Sequence, residues 1–136
     1  MLLAPRRFKY RKQQKGKSFN RVSGNQSCLQ SGSVGLKAVT PGRLTAKQIQ
    51  AVRQAIHKKI KKLGRLTVNA FPQTPISKKP IEVRMGKGKG NVDHWVFKVK
   101  AGVVLYEVET SYIQIAVKAL QAGQIRLPMQ TKIIFN

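Results

Sequence analysis

Carboxylates are scarce in this chain of 136 residues, which carries 4 Asp and Glu against 27 Lys and Arg and has a formal net charge of +23. The first acidic residue is Glu82, so positions 1–81 hold nineteen cations and no carboxylate. This imbalance does not help folding, because repulsion between like charges destabilises a compact chain. The composition therefore predicts a polyanionic partner.

Metal ligands and nucleophiles are equally scarce, with one cysteine and two histidines. Cys28 alone excludes an intramolecular disulfide, and with His57 and His94 it cannot complete a usual zinc site. Glu107 and Glu109 alternate on one predicted strand, and we interpret them as exposed partners of nearby lysines rather than as a catalytic pair. The sequence predicts no enzyme, no metal site and no cofactor.

Long apolar runs are missing as well, and none approaches the roughly 20 residues that span a bilayer. The opening segment Met1–Pro5 is too short for the apolar core of a signal sequence. We expect no membrane partner, and we do not expect a homo-oligomer.

The apolar residues that are present, 41% of the chain, suffice for one α+β domain. We place this domain at residues 33–136, with a mostly antiparallel sheet and two helices packed on one face. Strands are predicted at 34–39, 66–70, 81–83, 94–99, 103–108 and 132–135. The fourth and fifth of these are predicted to pair as a hairpin, and Pro72, Pro75 and Pro80 mark a loop.

The first predicted helix has the clearest boundary signals. Thr45 and Gln48 fit a capping box at its start, and Gly64 is predicted to end it. Its apolar stripe, at helical spacing, consists of Ile49, Val52, Ile56, Ile60 and Leu63.

A second helix is predicted from Tyr112 to Ala122, with Ser111 and Gln114 as its capping box and Gly123 as its stop. The stripe of this helix consists of Tyr112, Ile115, Ala116, Ala119 and Leu120.

Residues 1–32 are predicted to form an extended basic N-terminal arm. Phe8, Tyr10 and Phe19 are interleaved with its cations, and such aromatic rings can stack on exposed bases. Trp95, by contrast, is predicted to pack into the core, with stacking on a base as the alternative. The arm's candidate contacts with nucleic acid are Arg6, Arg7, Lys9, Arg11, Lys12, Lys15, Lys17 and Arg21.

The most informative motif is the Gly/Lys loop, residues 84–91, in which Gly86, Gly88 and Gly90 alternate with lysines. Glycine permits positive φ or close approach, and lysine supplies a mobile point charge. The spacing fits neither the dinucleotide fingerprint nor the nucleotide phosphate loop. We interpret it as a loop that contacts phosphates; the alternative is a flexible hairpin tip. Its candidate residues are Arg84, Met85, Gly86, Lys87, Gly88, Lys89 and Gly90.

Further cations are candidates for phosphate contacts. Those near the end of the first helix also complement the helix dipole, which is the alternative explanation for two or three of them. The candidates are Arg43, Lys58, Lys59, Lys61, Lys62, Lys78 and Lys79.

Several segments together resemble the bacterial and organellar-type large-subunit ribosomal protein sixteen, over nearly the whole chain. The matching segments are Pro5–Lys12, Gly35–Val39, Gly42–Ile49, Lys79–Asn91, Trp95–Val96 and Leu105–Glu107. The resemblance implies an α+β structural constituent of the large ribosomal subunit that binds large-subunit rRNA beside neighbouring ribosomal proteins. It further implies that the Gly/Lys loop lies near the peptidyl-transferase region and the A- and P-site tRNAs.

The chain also departs from the family pattern. Where the family commonly continues Met-Asp-Gly-Val after Glu107, this sequence has Val108-Glu109-Thr110-Ser111, and segment 18–32 is unlike typical bacterial versions. With the abundance of Lys and Ile, this divergence favours a mitochondrial over a bacterial ribosome. The alternative function is that of a DNA-compacting basic protein, with the helix at 46–63 as its contact surface.

Overall fold

The computed structural model describes residues 3–14, 16, 22–24 and 26–136. Two helices and seven strands are present among them, and every strand pair is antiparallel. The elements are β1 (Val34–Ala38), β2 (Gly42–Thr45), α1 (Ala46–Ile60), β3 (Arg65–Val68), β4 (Thr74–Lys78), β5 (Asn91–Val99), β6 (Val104–Glu109), α2 (Ile113–Gln124) and β7 (Thr131–Phe135). The α+β class predicted from the sequence is confirmed.

The strands form two sheets. One has four strands in the order β3-β6-β1-β7, and the other has three in the order β2-β5-β4. In the larger sheet, Val34 and Leu36 lie opposite Val108 and Tyr106, and all four are fully buried. Both helices pack against each other and against this sheet. The Tyr106 hydroxyl donates a hydrogen bond to the Ile49 carbonyl at 3.1 Å, which joins the sheet to α1.

Helix α1 begins as its sequence predicts. Thr45 is the N-cap, and the Thr45 and Gln48 side chains each bond the other residue's backbone N–H, which confirms the capping box. The stripe is buried from Ile49 to Ile60, but Leu63 lies beyond the helix and is exposed. Gly64 does not end α1. The helix stops at Ile60, and Lys61 takes the positive φ of 52°.

Helix α2 corrects three predictions. Its N-cap is Tyr112, which makes no side-chain capping bond, so the Ser111–Gln114 capping box is wrong. Tyr112 is exposed rather than part of the buried stripe. Gly123 lies inside the helix, where an added Cβ would approach Ile56 Cγ1 to 2.8 Å. Position 123 therefore requires glycine because α1 passes close by, and not because the helix ends there.

The predicted hairpin between the segments 94–99 and 103–108 is wrong. Both strands exist as β5 and β6, but β5 pairs with β2 and β4, whereas β6 pairs with β1 and β3. The short connection therefore crosses between sheets. Local alternation of apolar residues indicates a strand, but it does not identify the strand's partner.

Two further differences concern the proline-rich stretch. Residues 74–78, predicted as loop, form β4, and Pro75 is accommodated because β4 is an edge strand that needs one hydrogen-bonding side only. Residues 81–83, predicted as a strand, are exposed and do not pair. Strand β2 was not predicted. Among the described residues, no helix has the length and apolar character needed to cross a membrane.

Candidate nucleic-acid interface

The Gly/Lys loop is the tip of the β4–β5 hairpin, in which Lys78 lies opposite Asn91. Residues 81–89 are all exposed. Gly86, Lys87 and Gly88 have φ values of 98°, 51° and 84°, so three consecutive residues take the left-handed region. Glycine adopts this region without steric cost, which accounts for two of the three positions.

The base of the loop is held tightly. A Cβ at Gly90 would lie 2.6 Å from the Lys78 carbonyl oxygen and 2.8 Å from its carbon, so only glycine fits between the strands there. The Lys79 ammonium donates to the Gly86 carbonyl across the loop. These contacts hold the hairpin tip in place. Its cations Arg84, Lys87 and Lys89 are exposed to solvent.

The N-terminal arm meets this loop. Lys12 Nζ donates to the Lys89 carbonyl at 3.0 Å, and Lys89 Nζ donates to the Gln13 carbonyl. These reciprocal bonds join residues more than seventy positions apart in the chain. We call the combined surface, residues 6–13 and 84–91, the arm–loop surface. It brings exposed cations of the arm, such as Arg7 and Arg11, onto the same part of the molecule as the loop cations.

Trp95 belongs to this region and not to the core. Its ring centroid lies 5.3 Å from that of Phe8, with the planes tilted by 51°, and the indole is partly buried. The prediction that Trp95 packs into the core is therefore wrong, because the arm supplies its apolar neighbour. Tyr10 remains 61% exposed, with Lys9 Nζ 5.5 Å from its ring centroid.

The remaining sequence candidates are distributed elsewhere. Lys58, Lys59, Lys61 and Lys62 are exposed at the C-terminal end of α1, and Lys62 lines a groove beside Glu109 and Phe135, at the larger sheet. Arg43 lies on β2 opposite Lys98 of β5, and Lys78 ends β4. Lys15, Lys17, Phe19 and Arg21 lie outside the described residues.

Sequence reasoning also misjudged Glu107. It is only 1% exposed, so the expectation of an exposed partner for lysines is wrong, although Glu109 is exposed. Glu107 Oε2 accepts the backbone N–H groups of Gln30, Ser31 and Gly32 at 3.0, 3.0 and 3.1 Å. The Asn69 amide donates to Oε1 at 2.7 Å.

The environment of Glu107 keeps its carboxylate charged. Burial alone raises the pKa of this group, but the bonds from Ser31, Asn69, Gln30 and Gly32 outweigh burial and leave the pKa below its ordinary value. The signal in the sequence was an acidic residue amid the apolar run Val103–Val108. A charged residue inside such a run must find partners within the protein.

The described residues contain no group of three or more His, Cys, Asp or Glu side chains that could hold a metal ion. The fold and the exposed cations define an α+β protein whose basic arm and basic hairpin tip share one surface.

Comparison with known proteins identifies the family. Residues 5–134 match the family described as Ribosomal protein L16p/L10e. A protein of Alkalilimnicola ehrlichii named large ribosomal subunit protein uL16 is 46% identical over 133 residues, covering 98% of this chain and 96% of that protein. Proteins of the same name from Dichelobacter nodosus and Cereibacter sphaeroides are 48% and 45% identical, over 96% and 98% of this chain and 94% and 96% of theirs.

The chain belongs to the ribosomal protein L16p/L10e family. It is a structural constituent of the large ribosomal subunit, associated with the rRNA and proteins of that subunit, and not an enzyme. The DNA-compacting alternative finds no support in these relatives. The relatives are bacterial, so they do not support the mitochondrial ribosome expected from the sequence.

Proposed function

We propose that the arm–loop surface binds large-subunit rRNA through its phosphates and that the loop tip approaches the A- and P-site tRNAs. The observation that carries this proposal is the reciprocal pair of bonds between Lys12, Gln13 and Lys89. These bonds combine two cationic segments into one surface that can follow an RNA backbone.

Phosphate neutralisation is the physical basis of this binding. Each lysine or arginine that meets a phosphate releases condensed counterions. The logarithm of the binding constant therefore falls linearly with the logarithm of the salt concentration, with a slope of about −0.7 to −0.9 per phosphate contact. Such contacts fix the position and orientation of the protein without reading sequence. This role suits a constituent that shapes a binding region and performs no chemistry.

The loop tip is built to meet another molecule. Met85 is 99% exposed, and the neighbouring cations Arg84 and Lys87 are exposed as well. Methionine is flexible and polarizable, so Met85 can supply an adaptable apolar contact between these two cations. We infer that the tip's partner is folded RNA, either the rRNA of the peptidyl-transferase region or a bound tRNA.

The cations at the end of α1 provide a second area of rRNA contact in this proposal. Lys58, Lys59 and Lys61 are exposed on one helix end that has no acidic residue. Arg43, Lys78 and Lys79 extend the contact from the smaller sheet toward the loop. Neighbouring ribosomal proteins then cover part of the remaining surface.

The proposal is tested by sedimentation of cell lysates through sucrose gradients over a series of salt concentrations. Wild-type protein should migrate with the large subunit until high salt releases it. A variant with Arg84→Glu and Lys87→Glu should be released at lower salt and should slow translation. The matched control carries Lys118→Glu and Lys132→Glu, the same charge change at exposed positions on α2 and β7.

Equal release of the two variants, or normal translation with the loop variant, would contradict the assigned role of the loop. Fractionation of mitochondria before the gradient tests the compartment: the mitochondrial assignment requires the protein in the mitochondrial large subunit. Migration with nucleoids instead of ribosomes would favour DNA binding.

A further inference from the structure

The Glu107 carboxylate occupies an anion site made by the protein's own backbone. Three consecutive N–H groups, from Gln30 to Gly32, converge on one of its oxygens at 3.0 to 3.1 Å. Successive backbone N–H groups that point into one concavity form a nest, which binds anions strongly. Here the anion is a side chain 75 to 77 positions further along the chain.

The nest lies at the end of the basic arm, next to the larger sheet. Residues 30–32 lie where the N-terminal segment joins β1, and β1 lies beside β6, with Gly35 opposite Glu107. A Cβ at Gly32 would lie 2.9 Å from Glu107 Cβ, so the segment approaches the strand as closely as the backbone allows.

Neighbouring bonds continue the attachment along the sheet. The Val104 N–H donates to the Gln26 carbonyl at 2.9 Å, and Ser23 N–H donates to the Ala101 carbonyl at 2.9 Å. Lys37 Nζ donates to the Ser27 carbonyl at 3.0 Å. Glu107 differs from these partners because it is charged, buried and bound to four donors at once.

We propose that Glu107 is a positioning residue for RNA binding: it fixes the end of the basic arm that joins β1 and so sets where the arm's cations meet the RNA. This inference rests on the proposed function, since it requires the arm to bind rRNA. The arm is then held near the sheet, by Glu107 and the bonds of Ser23, Gln26 and Ser27. It is also held at the loop, by Lys89 and by the contact between Phe8 and Trp95. Fixing both places reduces the conformational entropy that the arm must lose when it binds.

The first experiment examines the free protein by nuclear magnetic resonance. Hydrogen bonds to a charged carboxylate are shorter and stronger than those to a neutral amide. Glu107→Gln should therefore move the amide proton resonances of residues 30–32 upfield, and Asn69→Ala should move them less. Glu109→Gln, two residues along the same strand and exposed, should leave them in place. Unmoved resonances in Glu107→Gln would overturn the inference.

The second experiment separates positioning from a general structural role. It measures binding of full-length variants to large subunits from which this protein has been removed by a salt wash. Glu107→Gln is combined with a neutralised arm that carries Arg6→Gln, Arg7→Gln, Lys9→Gln and Arg11→Gln. With the native arm, Glu107→Gln should weaken binding about tenfold, the change that corresponds to ~1.4 kcal/mol. With the neutralised arm, the further loss should be small.

A loss of equal size in both backgrounds would show that Glu107 only stabilises the domain and would overturn the inference. If the neutralised arm binds as tightly as the native arm, the proposed role of the arm fails. The resonances of residues 30–32 still report independently whether Glu107 holds the segment. Should Glu107→Gln not fold, Asn69→Ala enters the same comparison, with a smaller loss expected in the same background.

Discussion

Gly90→Ala should destabilise the base of the Gly/Lys loop. Gly90 precedes Asn91, which pairs with Lys78 across the β4–β5 hairpin. The added methyl group would lie 2.6 Å from the Lys78 carbonyl oxygen, 2.8 Å from its carbonyl carbon and 2.9 Å from Lys79 Cγ. Two of these three atoms are backbone atoms of a paired strand, so they cannot move aside as the end of a flexible side chain could.

The expected cost follows from this geometry. Overpacking typically costs 1 to 3 kcal/mol, and backbone neighbours place Gly90→Ala in the upper half of that range. The lower conformational entropy of alanine in the unfolded chain returns about 0.4 to 1 kcal/mol. The net loss should be about 2 kcal/mol, which for a domain of this size lowers Tm by about 8 °C.

Thermal unfolding followed by circular dichroism measures this effect, with Gly24→Ala as the control. No atom lies within 4 Å of a Cβ added at Gly24, so its Tm should change by about 2 °C or less. Gly90→Ala should also release from the large subunit at lower salt, because the loop above it shifts. Equal melting of the two variants would refute the close-approach explanation for Gly90.

Three further predictions concern stability, each measured by urea unfolding. Gly123→Ala should destabilise by about 1 kcal/mol, because contact with Ile56 outweighs the gain of ~1 kcal/mol in helix propensity; a stabilised variant would contradict this. Thr45→Ala should cost about 1 kcal/mol through loss of the capping box, whereas a change below a few tenths would show that the cap is dispensable. Because the pKa of Glu107 is lowered in the folded protein, its stabilising contribution is present above its ordinary pKa and is lost as the pH falls through the lowered value. The difference in stability between wild type and Glu107→Gln should therefore shrink from pH 7 to about pH 3, and a difference independent of pH would exclude this linkage.

Local signals in the sequence predicted the elements whose determinants are local. The capping box at Thr45 and the stripe from Ile49 to Ile60 depend on residues within one helix, and both are confirmed. Strand β7 was predicted from its own apolar residues. The exposure of the Gly/Lys loop likewise follows from its composition.

Features that depend on distant partners were predicted poorly. Gly64, Gly90 and Gly123 each have an added Cβ blocked by another segment, whereas the sequence suggested helix stops for the first and last. Trp95 needed Phe8 from the arm, and Glu107 needed donors from residues 30–32. A strand's alternation says which residues face together, but it does not say which chain segment covers them.

The same scarcity of acids shapes both the fold and the function. Four carboxylates cannot neutralise 27 cations, and one of the four, Glu107, is occupied by uncharged backbone and amide donors. The fold therefore depends on apolar packing and backbone bonds, and most of the positive charge remains available to an external polyanion. Added salt therefore has opposite effects on the free protein and on its complex with RNA. It stabilises the fold of the free protein, because it screens self-repulsion, and it weakens the complex, because it weakens the phosphate contacts. Bound RNA, like salt, reduces the repulsion among the protein's cations, because its phosphates supply the negative charge that the chain itself lacks.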